Sequence, residues 1–282
     1  LDARLTLKAA IDWRHPMLEY VQTPHGSLAY RIDGAGEGPP LVLLQRFRGT
    51  LDDWDPQLIA LLSAQRKVIR LDNAGIGGSD GAVPADLEGM ADVALAFLDA
   101  MGLEVVDLMG WSLGGFVAQH VALKAPGRIR RLIVAGSGPG GAAEGPEPHL
   151  KVRETMAHGQ NNADDFLFLF FADSDSSRAA GRAHLARLAS VVDRVPAVTG
   201  AAFMDQLKAI GASPGVRDRL AQLTLPVLVA NGNHDVMIPA YRSYIISQEA
   251  PDAKLVLYPD AGHAFLFQYP EAFADEVARF LG

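Results

Sequence analysis

No cysteine occurs among the 282 residues. That excludes a disulfide scaffold, a zinc finger, an iron–sulfur protein and a thiol nucleophile. It leaves the compartment open, because a chain without thiols is indifferent to redox conditions. Long apolar runs are absent too: nothing reaches the roughly 20 residues of a membrane span, and the longest aromatic-rich run is Phe166-Leu167-Phe168-Leu169-Phe170-Phe171. Basic residues are the minority, 25 Lys and Arg against 33 Asp and Glu, for a net charge of −8. A nucleic-acid binder needs a concentrated basic surface, and the densest basic stretch, Arg128-Ile129-Arg130-Arg131, reads as a short solvated turn. No His-Glu-x-x-His, carboxylate-rich loop or Cys cluster points to a metal, so the sequence predicts neither metal nor cofactor. The first residues, Leu1-Asp2-Ala3-Arg4, lack a basic region followed by an apolar core. The expectation is a cytoplasmic chain without a signal peptide; the missing initiating Met fits processing or trimming and leaves a removed signal open.

What is present is a strongly apolar chain, 49% hydrophobic, with a strand–helix rhythm. Its length fits about two domains of roughly 150 residues, or equally one α/β domain with an insertion. It can bury roughly 70–75% of its unfolded surface and needs no covalent staple. Short apolar runs recur at Leu41–Leu44, Val68–Leu71, Val105–Met109, Leu132–Ala135, Pro226–Ala230 and Lys254–Tyr258. Near-continuous apolar strands are what a parallel sheet covered on both faces requires. Helices are predicted at Leu87–Met101, Leu113–Lys124 and Pro270–Leu281, the last with Phe273, Val277, Phe280 and Leu281 on one stripe. Met17–Val21 and Leu28–Ile32 flank Pro24-His25-Gly26 and predict an antiparallel hairpin at the start of the sheet. Between about Gly136 and Thr224 the rhythm breaks into a helical composition. The expected organisation is an α/β core over residues 1–137 and 224–282, with a helical cap over 138–223.

Gly110-Trp111-Ser112-Leu113-Gly114 follows one predicted strand and opens a predicted helix. This is G-x-S-x-G in its meaningful context, with a serine raised on a sharp turn beside the first N–H groups of a helix. The alternative is a glycine-rich helix start with an N-capping serine. A serine hydroxyl needs a base, and the base an orienting acid. His263 follows the strand ending at Tyr258, and Asp235 follows the strand ending at Ala230. Both lie at strand carboxyl ends, where open α/β sheets collect reactive groups. The order Ser112, Asp235, His263 is that of one of the three common triads. His234 is the alternative base and Asp72 the alternative acid; His120, eight residues past Ser112, reads as a packed helix residue. His15, His25, His149, His158 and His184 have no partner pattern.

On these residues the chain resembles an α/β-hydrolase-fold serine hydrolase from about Tyr20 to Leu281. Four segments carry the likeness: Leu41–Thr50, Asp72-Asn73-Ala74-Gly75-Ile76-Gly77-Gly78-Ser79, the serine elbow, and the Asp235 and His263 loops. The resemblance implies a mostly parallel sheet with helices on both faces and a helical cap. It implies Ser112 as nucleophile, Asp235 as acid and His263 as base, with oxyanion donors at Leu113 and Phe47. Asp72 matches the family's structural aspartate. The chain departs from the family at Gln45-Arg46, where His-Gly is usual. Serine at the elbow argues against the epoxide hydrolase and haloalkane dehalogenase branches, which carry aspartate there. The implied activity is hydrolysis of a small or medium, apolar carboxylic ester or lactone, by a monomer or homodimer. Two other readings stay open: a C–C hydrolase or cofactor-free perhydrolase (haloperoxidase) on the same triad, and a small-molecule receptor that keeps it.

Arg46 and Arg48 are expected to pair with Asp52, Asp53 or Asp55, the alternative being a reach into the site toward an acidic substrate group. Arg46, Trp111, Phe168 and Phe171 are the expected pocket residues. The Phe166–Phe171 run lines an apolar pocket, seats the cap on the sheet, or does both. Gly136-Ser137-Gly138-Pro139-Gly140-Gly141 formally matches a dinucleotide fingerprint, but the following Ala142–Pro148 segment cannot open the regular helix that motif needs. It reads as a hinge into the insertion.

Overall fold

The computed structural model describes residues 16–141, 145–147 and 150–282; His15, His149 and the chain start discussed above lie outside them. Eight strands form one sheet: β1 (Glu19–Thr23), β2 (Gly26–Asp33), β3 (Leu41–Leu44), β4 (Val68–Leu71), β5 (Val106–Trp111), β6 (Ile129–Ala135), β7 (Val227–Gly232) and β8 (Ala253–Tyr258). Their order is β1-β2-β4-β3-β5-β6-β7-β8. β1, β2 and β4 are antiparallel neighbours, and all pairs from β4 to β8 are parallel. The predicted hairpin is present, with Thr23 opposite Gly26 across Pro24-His25.

Successive strand residues point to opposite faces, and here both faces are covered. Val42, Leu44, Ile69, Leu108, Val134 and Val229 pack with α2 (Leu87–Ala100), α3 (Leu113–Lys124) and α8 (Ala240–Glu249). Leu41, Leu43, Val68, Met109, Ile133 and Leu228 pack with α1 (Pro56–Ser63) and α10 (Pro270–Leu281). This double burial is why the strands read as unbroken apolar runs.

Between β6 and β7 lie α4 (Leu150–Met156), α5 (Ala163–Phe170), α6 (Asp175–Ala189), α7 (Gly200–Ala212) and a 3-10 turn, Arg217–Gln222, and no strand occurs among the described residues there. A four-residue helix, α9 (Phe265–Gln268), precedes α10. Side-chain caps fix the insertion's helix starts: Asn162 with Asp165 in a reciprocal capping box, Ser174, and Thr199.

One expectation fails at β6. Arg128–Arg131 is not a solvated turn, because the strand begins at Ile129. The buried Asp107 on β5 takes the Arg130 guanidinium at 2.6 Å, and Arg131 donates to the Phe280 carbonyl. The charged heads are answered at the sheet margin while the backbone continues the ladder.

Candidate active site

The carboxyl ends of β3, β5, β7 and β8 bring the singled-out residues together. Ser112 sits between β5 and α3 with φ 57° and ψ −117°, a strained conformation for a residue with a side chain. The flanking glycines are a packing requirement of that turn. A Cβ on Gly110 would lie 2.0 Å from the Gly114 carbonyl oxygen, and one on Gly114 would lie 2.0 Å from that of Leu44. Ser112 is not a side-chain N-cap, since it makes no capping bond to α3. Its backbone is pinned instead, by Ser112 N–H donating to Ala135 O at 2.9 Å and by Ser137 Oγ donating to Ser112 O at 2.9 Å.

His263, fully buried, donates from Nδ1 to Asp235 Oδ2 at 2.6 Å. The other carboxylate oxygen of Asp235 accepts from Met237 N at 2.8 Å and Ile238 N at 2.9 Å. One oxygen is thus fixed by backbone, and the other is directed at the imidazole. With Nδ1 carrying the proton, Nε2 presents a lone pair; that atom is buried and has no hydrogen-bond partner among the described residues. The neighbouring histidine, His234, is exposed. Asp72, the alternative acid, is engaged elsewhere: it accepts from Leu51 N and Gly78 N and ties together the loops after β3 and β4. His120 lies buried on α3, 3.9 Å from Glu88 of α2.

A chain of buried polar bonds escapes motif reading. Asn231 donates to Ser243 Oγ at 3.0 Å, Ser243 to Ser137 O at 2.7 Å, and Ser137 to Ser112 O. It links the Asp235 loop to the serine turn. Ser137 belongs to the glycine-rich stretch after β6, which therefore braces Ser112. Common Ser and Asn residues spread over 231, 243 and 137 carry no local signature.

Leu113 is the first residue of α3, so its N–H has no partner within the helix. Phe47 lies on the loop after β3. There Gln45 does the closing: its Nε2 donates to Thr50 O at 2.9 Å and its Oε1 accepts from Arg46 N at 2.8 Å. Arg46 needs no glycine-like backbone; the positive φ in this loop falls on Arg48, at 56°.

The expected ion pairs of Arg46 and Arg48 do not form. Asp52 is taken by Arg31 at 2.9 Å, Asp53 by Arg194, and Asp55 by His184 at 2.7 Å and Arg187 at 2.6 Å. Those partners come from far along the chain. Arg48 instead donates to the carbonyls of His158 (2.9 Å) and Gly159 (2.8 Å) and to Asn161 Oδ1 (3.1 Å), between α4 and α5. Arg46 donates to Phe47 O at 2.8 Å, and its guanidinium carbon lies 5.1 Å from the Phe170 ring centre and 5.7 Å from that of Trp111.

The other three expected pocket residues lie apart from the cavity that Arg46 lines. Trp111 has no exposed surface; it supports His263 from below, with ring centres 5.6 Å apart and Nε1 donating to His263 O at 3.1 Å. Phe168 and Phe171 face a cleft shared with His234 and the outer side of Asp235. The residues of that run lining the cavity beside Phe47 and Arg46, about 220 Å³, are Phe166, Leu169 and Phe170, joined by Met156 and Met237. Helical spacing inside the run was the available signal: Phe166 and Phe170 are one turn apart and stack at 4.3 Å. Ala264 N donates to the Phe170 carbonyl at 2.8 Å, joining α5 to the His263 loop. Among the described residues, no group of three or more His, Asp or Glu is placed to hold a metal, and no helix is long and apolar enough to cross a membrane.

A sheet of this order, carrying a strained serine after β5, an acid after β7 and a histidine after β8, has counterparts among known proteins. A sequence profile of the alpha/beta hydrolase family matches residues 47–276. The chain belongs to that family, and it is a hydrolase. It is 32% identical to the pimeloyl-[acyl-carrier protein] methyl ester esterase of Nitrosomonas europaea over 86% of this chain and 95% of that one. It is 26% identical to a putative carbamate hydrolase RutD of Azorhizobium caulinodans, over 94% and 98% of the two chains. Among solved structures, an alpha/beta hydrolase fold protein from Chitinophaga pinensis superposes with a TM-score of 0.86 at 36% identity, covering 95% of this chain and 97% of that one.

Proposed function

We propose that the protein is a cofactor-independent serine hydrolase of small or medium carboxylic esters or lactones, acting through Ser112, Asp235 and His263. The observation that carries this reading is the buried Asp235–His263 pair, whose 2.6 Å bond leaves Nε2 without a partner at the same sheet edge as the strained Ser112. His263 Nε2 takes the Ser112 proton as Oγ attacks the carbonyl carbon. Asp235 holds the imidazole in its tautomer and stabilises its cationic form. The oxyanion is met by the N–H groups of Leu113 and Phe47. Nε2 then returns the proton to the leaving alcohol, and a water activated by the same nitrogen releases the acid. The esterase and carbamate hydrolase names of the relatives support carbonyl chemistry. Residues 138–223 serve as a cap whose α5 supplies the apolar wall of the substrate cavity, over a core of 1–137 and 224–282.

Covalent labelling with a fluorophosphonate tests this. The wild type should label stoichiometrically and Ser112→Ala should not. An unlabelled wild type would refute an activated serine, and label retained on the variant would move the nucleophile elsewhere.

A further inference from the structure

Arginines taken out of water in this fold face carboxylates. Arg31 meets Asp52 at 2.9 Å and Arg70 meets Asp33 at 2.7 Å. Arg46, half-buried at the wall of a cavity, does not: among the described residues no carboxylate lies within ion-pair reach of it, and its one side-chain hydrogen bond, to Phe47 O, uses a single donor of the guanidinium. The group is enclosed by the rings of Trp111, Phe166 and Phe170, at 5.7, 6.0 and 5.1 Å from its central carbon. Ring faces offset part of the lost hydration, yet burial still pulls the guanidinium pKa down. The nearest acids in sequence are spent on other cations, and Arg48, the neighbouring cation, is spent on α4–α5 carbonyls. The result is a positive charge with no carboxylate in ion-pair contact, offset only from a distance by Asp53, at the wall of the cavity beside Phe47.

That wall is also the wall of His263. The imidazole packs on Trp111 and Phe170 with centres 5.6 Å away in each case, the same two rings that hold the guanidinium. An anion bound by Arg46 would thus sit across the Trp111 and Phe170 rings from His263, on the side from which a molecule could reach toward the candidate triad. One uncommitted guanidinium balances one negative charge, and its planar fork matches two coplanar oxygens.

We propose that Arg46 is a specificity-determining residue and that the substrate is an ester or lactone bearing a free carboxylate bound by its guanidinium. The proposal rests on the hydrolase reading above for the reaction, while the anion site stands on its own geometry. It also gives Gln45-Arg46 a role: Gln45 closes the loop through Thr50 O and Arg46 N, and Arg46 reads the substrate's charge.

The test compares 4-nitrophenyl hydrogen adipate with neutral 4-nitrophenyl hexanoate, alongside calorimetric titration of monomethyl adipate into Ser112→Ala. The wild type should prefer the anionic ester. In Arg46→Gln that preference in kcat/KM should fall about 10- to 100-fold, the span of a charged hydrogen-bonded contact. Arg46→Lys, which keeps the charge but not the planar fork, should retain part of the preference and guards against misreading a misfolded Gln variant. Monomethyl adipate should bind Ser112→Ala at least about tenfold more tightly than the Ser112→Ala/Arg46→Gln double variant. An unchanged preference in Arg46→Gln, or equal binding by the single and double variants, would overturn the proposal. A wild type that hydrolyses neither ester and takes no fluorophosphonate, yet binds monomethyl adipate through Arg46, would sink the hydrolase reading and leave the anion site standing.

Discussion

Asp72 shows how a structural carboxylate can carry a pH signature. Burial pushes its pKa up to about 7, against the opposing hydrogen bonds from Gly78 and Leu51 and with a smaller push from Asp52 and Asp53. In the unfolded chain an aspartate titrates near 4, so between about pH 4 and 7 the folded protein holds a proton that the unfolded chain has lost. The stabilising contribution is complete below about pH 4 and is lost as pH rises to about 7, up to about 4 kcal/mol. Urea unfolding across this range should show the wild type losing stability relative to Asp72→Asn as pH rises, then levelling off. A gap between the two that stays constant with pH would mean that Asp72 ionises normally. Asp235 is expected to behave differently. Asp235→Asn removes the acceptor that fixes the His263 tautomer, and turnover on the preferred ester should fall about 10³- to 10⁴-fold with far less effect on the unfolding midpoint. Near-normal turnover would place the acid elsewhere. The positions of both acids were legible because Asp72 directly follows one apolar strand and Asp235 lies in the short loop after another. The second oxygen of Asp235, tied to Met237 and Ile238 N–H groups, was not, since it depends on the folded turn.

At the scale of elements, α5 and α6 approach each other through Gly181. A Cβ there would lie 2.3 Å from Leu167 Cδ2 and 2.8 Å from Phe171 Cδ2. Gly181→Val should push the helices apart at a cost of about 1–3 kcal/mol. Because Phe166 and Phe170 line the cavity from α5, the displacement should reach the site. The expected result is faster amide hydrogen exchange across residues 163–189 together with reduced kcat/KM, while exchange in β5 and β6 stays slow. Unchanged exchange in α5 would show that the helices tolerate the side chain. The sequence marked this segment as helical, yet it did not say which phenylalanines face the cavity. The aromatic run supplies apolar candidates on every side, and only the packing of α5 against α6 and the His263 loop selects Phe166 and Phe170 over Phe168 and Phe171.

For the whole molecule, the buried charges hold the antiparallel side of the sheet to the loop after β3. Arg70 on β4 sits between Asp33 at 2.7 Å and Asp52 at 3.6 Å, and Asp52 also binds Arg31 of β2. Removing one member leaves an uncompensated buried charge, so Arg70→Met should cost about 3–5 kcal/mol in unfolding free energy, measured by urea denaturation. A loss below about 1 kcal/mol would mean that the acids rehydrate or take up protons freely.

The sequence by itself determined the architecture and the candidate triad positions. Strand burial on both faces, helix periodicity and the glycine spacing around Ser112 are local consequences of backbone geometry, so a short window carries each of them. Tertiary structure decided the charge partners and the cavity wall. His184 and Arg194 reach Asp55 and Asp53 from 129 and 141 positions away, and by occupying those acids they leave Arg46 without an ion-pair contact. Such choices are settled by competition among groups that only folding brings within reach. The sequence could place Arg46 near the pocket, but no local pattern could tell that it would stand there without an ion-pair partner.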